Sequence, residues 1–344
     1  MTEERDEVAS TTTGSREQSG LDAETLRSMY RHMLRSRLLD ERLWALNRQG
    51  RAPFWISAIG HEAVQVAFGM NLRAGHDWVA PYYRDLALTL VLGMTPKDHI
   101  LSALGRADDP NSGGRQMPAH YGCRRLNIVT TGSPVGTQLL HATGTALASR
   151  MRGEDAVSLT STGEGGTSEG DFHEALNFAA THRLAVVFVV ENNGFAISVP
   201  WQKQMPTPDV ADRAKAYGIP GVIVDGEDPM ACFRIARDAI ARARSGEGPV
   251  LVEAKVLRLT SHSSDDDQRR YRSSEELEAE KQRDCLAHFR TTLEELGVLG
   301  GGDAEEMRAE LSLELDRATD EAEAAPLPEP ESALLHVLGD EGGH

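Results

Sequence analysis

The spacing of apolar residues divides this chain into a helical first part and an alternating second part. Apolar residues recur at helical spacing over 22–46, which predicts a long amphipathic helix at the start of the folded part. A second helix is predicted after Gly60, and helical patterns return over 85–105. Between Arg106 and Asn127 the sequence is dense in Gly, Pro, Asp and Asn, and loops of this length are usually functional or disordered.

After residue 133 short apolar runs alternate with helical segments. The predicted helices cover about 136–152, 169–181 and 229–244, and the predicted strands about 156–162, 184–190, 221–225 and 249–255. Such alternation is typical of an α/β fold whose mainly parallel sheet carries helices on both faces. Because more helices are predicted to about residue 323, the sheet has helical N- and C-terminal extensions.

The two ends differ in composition from the region between them. Residues 1–20 are polar and have too few apolar groups to offset the entropy lost on ordering, so we expect a flexible tail. Residues 21–325 are predicted to form one domain. The C-terminal segment is 326–344. It includes most of the proline-rich break AAPLPEPES and a short predicted helix, SALLHVLGD.

Composition excludes several classes of partner. The 344 residues include 36 Lys and Arg against 53 Asp and Glu, a net charge of -17 that argues against recognition of nucleic acid through phosphates. No apolar run is long enough to span a bilayer, and the N-terminus lacks the pattern of a signal peptide. Cys123, Cys232 and Cys285 lack metal-ligand spacing, and their odd number suits a reducing compartment. We expect a cytoplasmic protein that binds neither nucleic acid nor a membrane.

Candidate chemistry concentrates in residues 157–198. Glu164 lies between glycines after one apolar run, and Asn192 and Asn193 end the next run about thirty positions later. In a parallel βαβ unit both places fall at the carboxyl edge of the sheet, where such folds bind ligands. Carboxylate and amide oxygens suit Mg²⁺, while glycines before a helix suit an anion. The unit therefore predicts a magnesium diphosphate site.

The glycine-rich turn GEGGTSEG differs from better-known phosphate loops. It lacks the lysine of a P-loop, and Ser168 breaks the GxGxxG pattern. A glycine-rich turn of this kind is as often structural as functional when it stands alone. Together with the Asn pair it resembles the thiamine diphosphate motif, which has a GDG-type start and an NN-type end about thirty residues apart.

Four segments together narrow the resemblance to one family. RQMPAHYG at 115–122, GSPVGTQ at 132–138, GEGGTSEGDFHEALNFAAT at 163–181 and HSSDDDQRRYRS at 262–273 resemble the alpha subunit of the thiamine-dependent first component of 2-oxo acid dehydrogenase complexes. The likeness is greatest to the branched-chain (2-oxoisovalerate) enzymes and covers roughly 25–325. It implies the thiamine diphosphate-binding fold.

The resemblance implies a role for individual residues of the cofactor site. Glu164 and Asn193 would bind Mg²⁺ through their side chains and Phe195 through its carbonyl. Other positions would hold thiamine diphosphate itself. These are Tyr83, Arg84, Gly163, Gly165 and Gly166 at the diphosphate, and Ser133 and Val135 at the aminopyrimidine. Pro134, Thr137 and Gln138 match a K⁺ site, although helix capping is an equal alternative for the last two.

His262 is the residue that the resemblance implies for catalysis, because the family's corresponding loop covers the cofactor and reaches the reacting atoms. An ordinary histidine titrates near physiological pH, which suits proton transfer. His120 either shapes the entrance to the site or bonds only its own loop. Ser263 and Ser264 resemble a loop that is phosphorylated in mitochondrial members, but we expect them to be unmodified here.

The resemblance also implies a missing half of the site. No residue of this chain matches the carboxylate that activates the aminopyrimidine, which in the family comes from a beta subunit. We therefore expect an alpha-two beta-two heterotetramer that decarboxylates branched-chain 2-oxo acids and passes the acyl group to a lipoyl acyltransferase component. Glu191, where some branched-chain members carry Arg, keeps a pyruvate or acetoin dehydrogenase open as an alternative. A non-catalytic subunit is the other.

Overall fold

A parallel five-stranded sheet is the centre of the computed structural model, which describes residues 20–335. Its strands are β1 (Trp78–Ala80), β2 (Ser158–Gly163), β3 (Val186–Asn192), β6 (Gly221–Asp225) and β7 (Val250–Lys255). They lie in the order β1-β2-β3-β7-β6, and every neighbouring pair is parallel. A small antiparallel hairpin, β4 (Phe195–Ala196) and β5 (Val199–Pro200), follows β3.

The helices precede, connect and follow these strands. The α-helices are α1 (Ala23–Arg48), α2 (Glu62–Asn71), α3 (Leu86–Val91), α4 (Pro96–Ala103), α5 (Thr137–Met151), α6 (Gly170–Thr181), α7 (Ala214–Tyr217), α8 (Pro229–Arg244), α9 (Ser274–Lys281), α10 (Cys285–Glu295) and α11 (Asp303–Ala324). Short 3-10 helices span Arg124–Leu126, Glu164–Ser168, Trp201–Lys203, Ala211–Arg213, Gln268–Arg270 and Pro330–Leu334.

Alternate residues of β3 point to two separate hydrophobic clusters. Val187 and Val189 pack with residues of α2 and α8, whereas Phe188 and Val190 pack with residues of α5 and α6. Because the side chains of a strand alternate between faces, helices cover both faces of the sheet. The predicted fold class is therefore confirmed.

The helical extensions pack against each other. Helix α11 lies along α1, and the ion pairs Arg27–Asp303 (2.7 Å) and Arg31–Glu310 (2.6 Å) join them. The side chain of Asp22 caps α1 by accepting from Thr25 N. Both extensions thus belong to one packed layer beside the sheet.

Several details differ from the sequence-based expectations. The three-residue strand β1 and the hairpin β4–β5 were not predicted, since they are too short to show a period. The helical region 85–105 is interrupted at Gly93, whose φ of 111° an L-residue rarely adopts. The predicted tail, apart from residue 20, and most of the final helix lie outside the described residues. Within 20–335 no helix is long and apolar enough to cross a bilayer.

Candidate functional site

The carboxyl ends of β2 and β3 meet as the sequence predicts. Gly163 pairs with Glu191 in the parallel register, so Glu164 and Asn193 follow neighbouring strands. The backbone N–H of Asn193 donates to Glu164 Oε2 at 3.3 Å. Glu164 is only 1% exposed, and this burial raises the pKa of its carboxyl.

A cavity of about 280 Å³ opens at this edge of the sheet. Nearly all the predicted site residues line it: Tyr83, Arg84, Ser133, Pro134, Val135, Gln138, Gly163, Glu164, Gly165, Gly166, Asn193, Phe195 and His262. Thr137 is the exception. The structure therefore brings together residues that lie up to 179 positions apart in the sequence.

The glycine turn leaves no room for side chains. A Cβ at Gly166 would lie 2.2 Å from Thr162 Oγ1, and one at Gly165 would lie 2.7 Å from the Cβ of Ala196. Since these positions carry hydrogen only, a ligand can approach the backbone closely. The buried hydroxyl of Thr162 also has no hydrogen-bond partner in the described structure. The turn fits a diphosphate held by backbone N–H groups.

The oxygen atoms around Glu164 fit a hard cation. Gln204 Nε2 donates to Glu164 Oε1 at 3.3 Å, and Phe195 N donates to Asn193 Oδ1 at 3.2 Å. These hydrogen bonds are long, and no Lys or Arg of the described chain forms an ion pair with Glu164. Residues 20–335 contain no group of three or more His, Cys, Asp or Glu that is placed to hold a metal ion, so a metal here would use carboxylate, amide and carbonyl oxygens.

Two buried arginines make the site electropositive. Arg84 is 2% exposed and donates to Ser57 O and, at 3.0 Å, to His262 Nδ1. Arg258 is 1% exposed and donates to Tyr271 OH at 2.8 Å, while its Nε and one amino group lack partners. Neither pairs with a carboxylate in the described structure. Buried cations without such partners suit a bound anion.

His262 differs from the expectation of an ordinary pKa. Burial, followed by the charges of Arg84 and Arg258, lowers the pKa of His262 to about 3. Because a guanidinium only donates, Nδ1 accepts from Arg84 and the proton lies on Nε2. The imidazole also packs edge-on against Tyr83, with 6.2 Å between the ring centroids. His262 is therefore a neutral hydrogen-bond donor at physiological pH.

His120 ties its own loop to a neighbouring segment. Its Nδ1 lies 3.0 Å from Met117 O, so this nitrogen carries the proton, and its Nε2 accepts from Ser133 Oγ at 2.9 Å. His120 does not line the cavity. The contact with Met117 bonds the loop to itself, whereas the contact with Ser133 reaches a residue that lines the cavity, so both roles stay predictions.

The side chains of the predicted K⁺ site have partners within the chain. Gln138 Oε1 accepts from Gly136 N at 3.1 Å, and its Nε2 donates to Ser161 O at 3.0 Å. The hydroxyl of Thr137 donates to Asp171 Oδ2 at 3.0 Å. These bonds tie the first turn of α5 to β2 and α6, but no side chain caps the N-terminus of this helix, so both alternatives stay predictions.

The loop that carries the two serines is ordered by its own polar contacts. Ser263 Oγ accepts from Asp265 N at 3.3 Å, and Ser264 Oγ accepts from Trp55 N at 3.1 Å. Asp266 accepts from the backbone N–H of His262 at 2.9 Å. The acidic part of the loop therefore orients the histidine.

Three polar residues of the site were missed by sequence reasoning. Gln204 contacts Glu164, the guanidinium of Arg258 lies over the ring of Phe195, and Arg213 donates to Thr167 Oγ1 in the glycine turn at 2.9 Å. Arg258 carries a weak signal, since it precedes His262 by four positions. The other two lie in polar segments without a recognisable motif.

Glu191 does not line the cavity. Its Oε2 accepts from His61 Nδ1 at 2.6 Å and from Gln65 Nε2 and Tyr82 OH at 3.1 Å. Burial raises its pKa to about 7. The side chain thus lies toward α2, which explains why glutamate here makes no contact with the anion site.

The fold and the site define a class of cofactor-dependent α/β enzyme, and comparison identifies the family. Residues 30–331 match the family described as "Dehydrogenase E1 component", and the chain belongs to it. This family depends on thiamine diphosphate.

The relatives of this chain differ in the 2-oxo acid that their names give. The chain is 49% identical over 318 residues to the 2-oxoisovalerate dehydrogenase subunit alpha of Bacillus subtilis, covering 92% of this chain and 96% of that protein. It is 41% identical over 278 residues to the 3-methyl-2-oxobutanoate dehydrogenase subunit alpha of Mycobacterium tuberculosis, covering 81% and 73%. Identity to the pyruvate dehydrogenase E1 component subunit alpha of Bacillus subtilis is 36% over 307 residues, covering 89% and 80%.

Proposed function

We propose that this chain is the alpha subunit of a branched-chain 2-oxo acid dehydrogenase. With a beta subunit it would oxidatively decarboxylate acids of the 2-oxoisovalerate type and pass the acyl group to the lipoyl group of an acyltransferase component. The observation that carries this proposal is the cavity where Glu164, Asn193 and Arg84 converge. The higher identity to the two branched-chain relatives supports the substrate class.

Different residues of this cavity would bind different parts of the cofactor. Glu164, Asn193 and the carbonyl of Phe195 would bind Mg²⁺, and the glycine turn with Arg84 would hold the diphosphate. When bound, thiamine diphosphate supplies the electron sink for decarboxylation. The chain's own contribution is to neutralise the diphosphate, to orient the cofactor and to exclude water from the buried charges.

His262 would act as a donor in this reaction. Its Nε2–H is free of the bond that Arg84 makes to Nδ1, so it can donate to a carboxylate or alkoxide oxygen of the substrate. The contact between Asp266 and the backbone of His262 would hold the ring in this orientation.

A beta subunit is part of the proposal because apolar side chains at the cavity are exposed. Val135 and Ile197 line the cavity and are 45% and 56% exposed, and Val199 and Met117 are exposed as well. An apolar rim of this kind fits a protein partner. We further propose an alpha-two beta-two assembly, a K⁺ ion near Pro134, Thr137 and Gln138, and a cytoplasmic location, which the three free cysteines support.

The substrate class is tested with the complex rather than the chain alone. The chain is coexpressed with its beta subunit, and reduction of a dye acceptor is measured with 2-oxoisovalerate, pyruvate and acetoin. We expect kcat/KM to be at least about tenfold higher for 2-oxoisovalerate, the difference that about 1.4 kcal/mol of transition-state binding produces. Preference for pyruvate would favour the second candidate, which the 36% identical relative supports. No activity and no cofactor binding would indicate a non-catalytic subunit.

A further inference from the structure

A buried polar cluster adjoins the segment that carries Tyr83 and Arg84. We call it the Glu191 cluster, and its members are His61, Gln65, Tyr82, Asp85 and Glu191. All are buried, and apart from Tyr82 none lines the cofactor cavity. Most buried polar groups in proteins have hydrogen-bond partners, and a buried network of this kind fixes the segments that it joins.

Glu191 is the central acceptor of this cluster. Three donors from two separate segments, namely His61, Gln65 and Tyr82, converge on its Oε2 at 2.6 to 3.1 Å. Its carboxyl also adjoins that of Asp85. Loss of this side chain would leave several buried donors unpaired, which costs more than the bonds themselves contribute.

The cluster reaches Arg84 through the backbone. Gln65 Nε2, which donates to Glu191, also donates to Arg84 O at 2.9 Å, and Gln65 Oε1 accepts from Ala87 N at 3.0 Å. Asp85 Oδ2 accepts from the backbone N–H of Tyr82 at 2.9 Å. The turn on which Arg84 stands is therefore bonded to the cluster on both sides.

We propose that Glu191 is a positioning residue for the cofactor, because its bonds to Gln65 and Tyr82 fix the turn that presents Arg84 to the diphosphate. Glu191 acts without touching the ligand. This inference rests on the proposed function, since it takes the anion at Arg84 to be the diphosphate of thiamine diphosphate.

The test compares Glu191→Ala with Glu191→Gln in the complex with the beta subunit. Thiamine diphosphate affinity is measured by calorimetry in the presence of Mg²⁺, and kcat is measured at saturating cofactor. The Ala variant is expected to bind at least about tenfold more weakly, with kcat changed by no more than about threefold. The Gln variant should bind within about twofold of wild type, because its amide oxygen still accepts and its amide nitrogen can donate to the unpartnered Asp85 Oδ1.

Two further variants make the result decisive. Asp77→Ala removes another buried carboxylate, one that pairs with Arg244 away from the cavity, and should lower stability without changing cofactor affinity. Gln65→Met breaks the link from Glu191 to Arg84 and should weaken thiamine diphosphate binding at least about tenfold. This variant keeps the inference testable if Glu191→Ala does not fold.

If the Gln65→Met complex binds thiamine diphosphate with wild-type affinity, and any folded Glu191→Ala complex does so too, the positioning role of Glu191 is wrong. The proposed function would be unaffected by that result. A Gln variant as weak as the Ala variant would also overturn it, since charge rather than hydrogen bonding would then matter. A wild-type complex that binds no thiamine diphosphate would instead overturn the proposed function, and this inference with it.

Discussion

Glu164 and Arg84 are both almost fully buried, yet neither pairs with an opposite charge among residues 20–335. Removal of an ion from water is costly unless another charge or several hydrogen bonds compensate it. A magnesium diphosphate would compensate both residues at once, with the metal at Glu164 and the phosphate oxygens at Arg84. The burial of this pair thus supports the proposed ligand independently of any motif.

His99, which lies away from the site, allows a test of how burial changes the pKa of a side chain. It is buried between Thr89 and Tyr121, and burial lowers the pKa of His99 to about 4. Because the unfolded chain binds the proton near pH 6.5, this histidine favours the folded state above that pH and loses the contribution as the pH falls toward 4.

His99→Gln should therefore flatten the fall in unfolding free energy between pH 6.5 and pH 4 by up to about 1.4 kcal/mol per pH unit. Urea denaturation of wild type and variant at a series of pH values measures this difference. Parallel curves for the two proteins would contradict the predicted burial effect.

At the scale of secondary structure, the site depends on how two strands end. The apolar runs, the Asn pair and the glycine turn are all local in sequence, so the βαβ unit and its ligand edge could be predicted. The Glu191–His61 contact spans 130 positions and the Arg84–His262 contact spans 178, and no local pattern encodes such pairings. Gln204 and Arg258 were missed for the same reason.

The glycine turn yields a matched pair of substitutions. Gly166→Ala places a Cβ 2.2 Å from Thr162 Oγ1, whereas a Cβ at Gly170 in the same connection meets nothing within 4 Å. We expect Gly166→Ala to destabilise the fold by about 1 to 3 kcal/mol and to weaken cofactor binding, as overpacking does. Gly170→Ala should be near neutral. Thermal unfolding of both variants checks this, and equal melting temperatures would show that the turn has room.

At the scale of the whole molecule, the sheet and its helical layers could be predicted because the period of the apolar residues changes along the chain. The pattern did not reveal β1, the hairpin after β3 or the packing of α11 along α1. Short strands have no period, and helix pairing depends on contacts such as Arg27–Asp303, 276 positions apart. The fold leaves one side of the cavity with exposed apolar residues, where the proposed beta subunit would complete the site.

We propose that the meeting point of β2 and β3 holds a magnesium diphosphate. The most direct measurement is calorimetric titration of thiamine diphosphate into the complex of this chain with its beta subunit, with Mg²⁺ and with EDTA, for wild type, Glu164→Ala and the exposed control Glu295→Ala. Wild type and control should bind only with Mg²⁺, and Glu164→Ala should bind at least about a hundredfold more weakly, the equivalent of about 2.7 kcal/mol. Binding by Glu164→Ala at wild-type affinity would contradict the account.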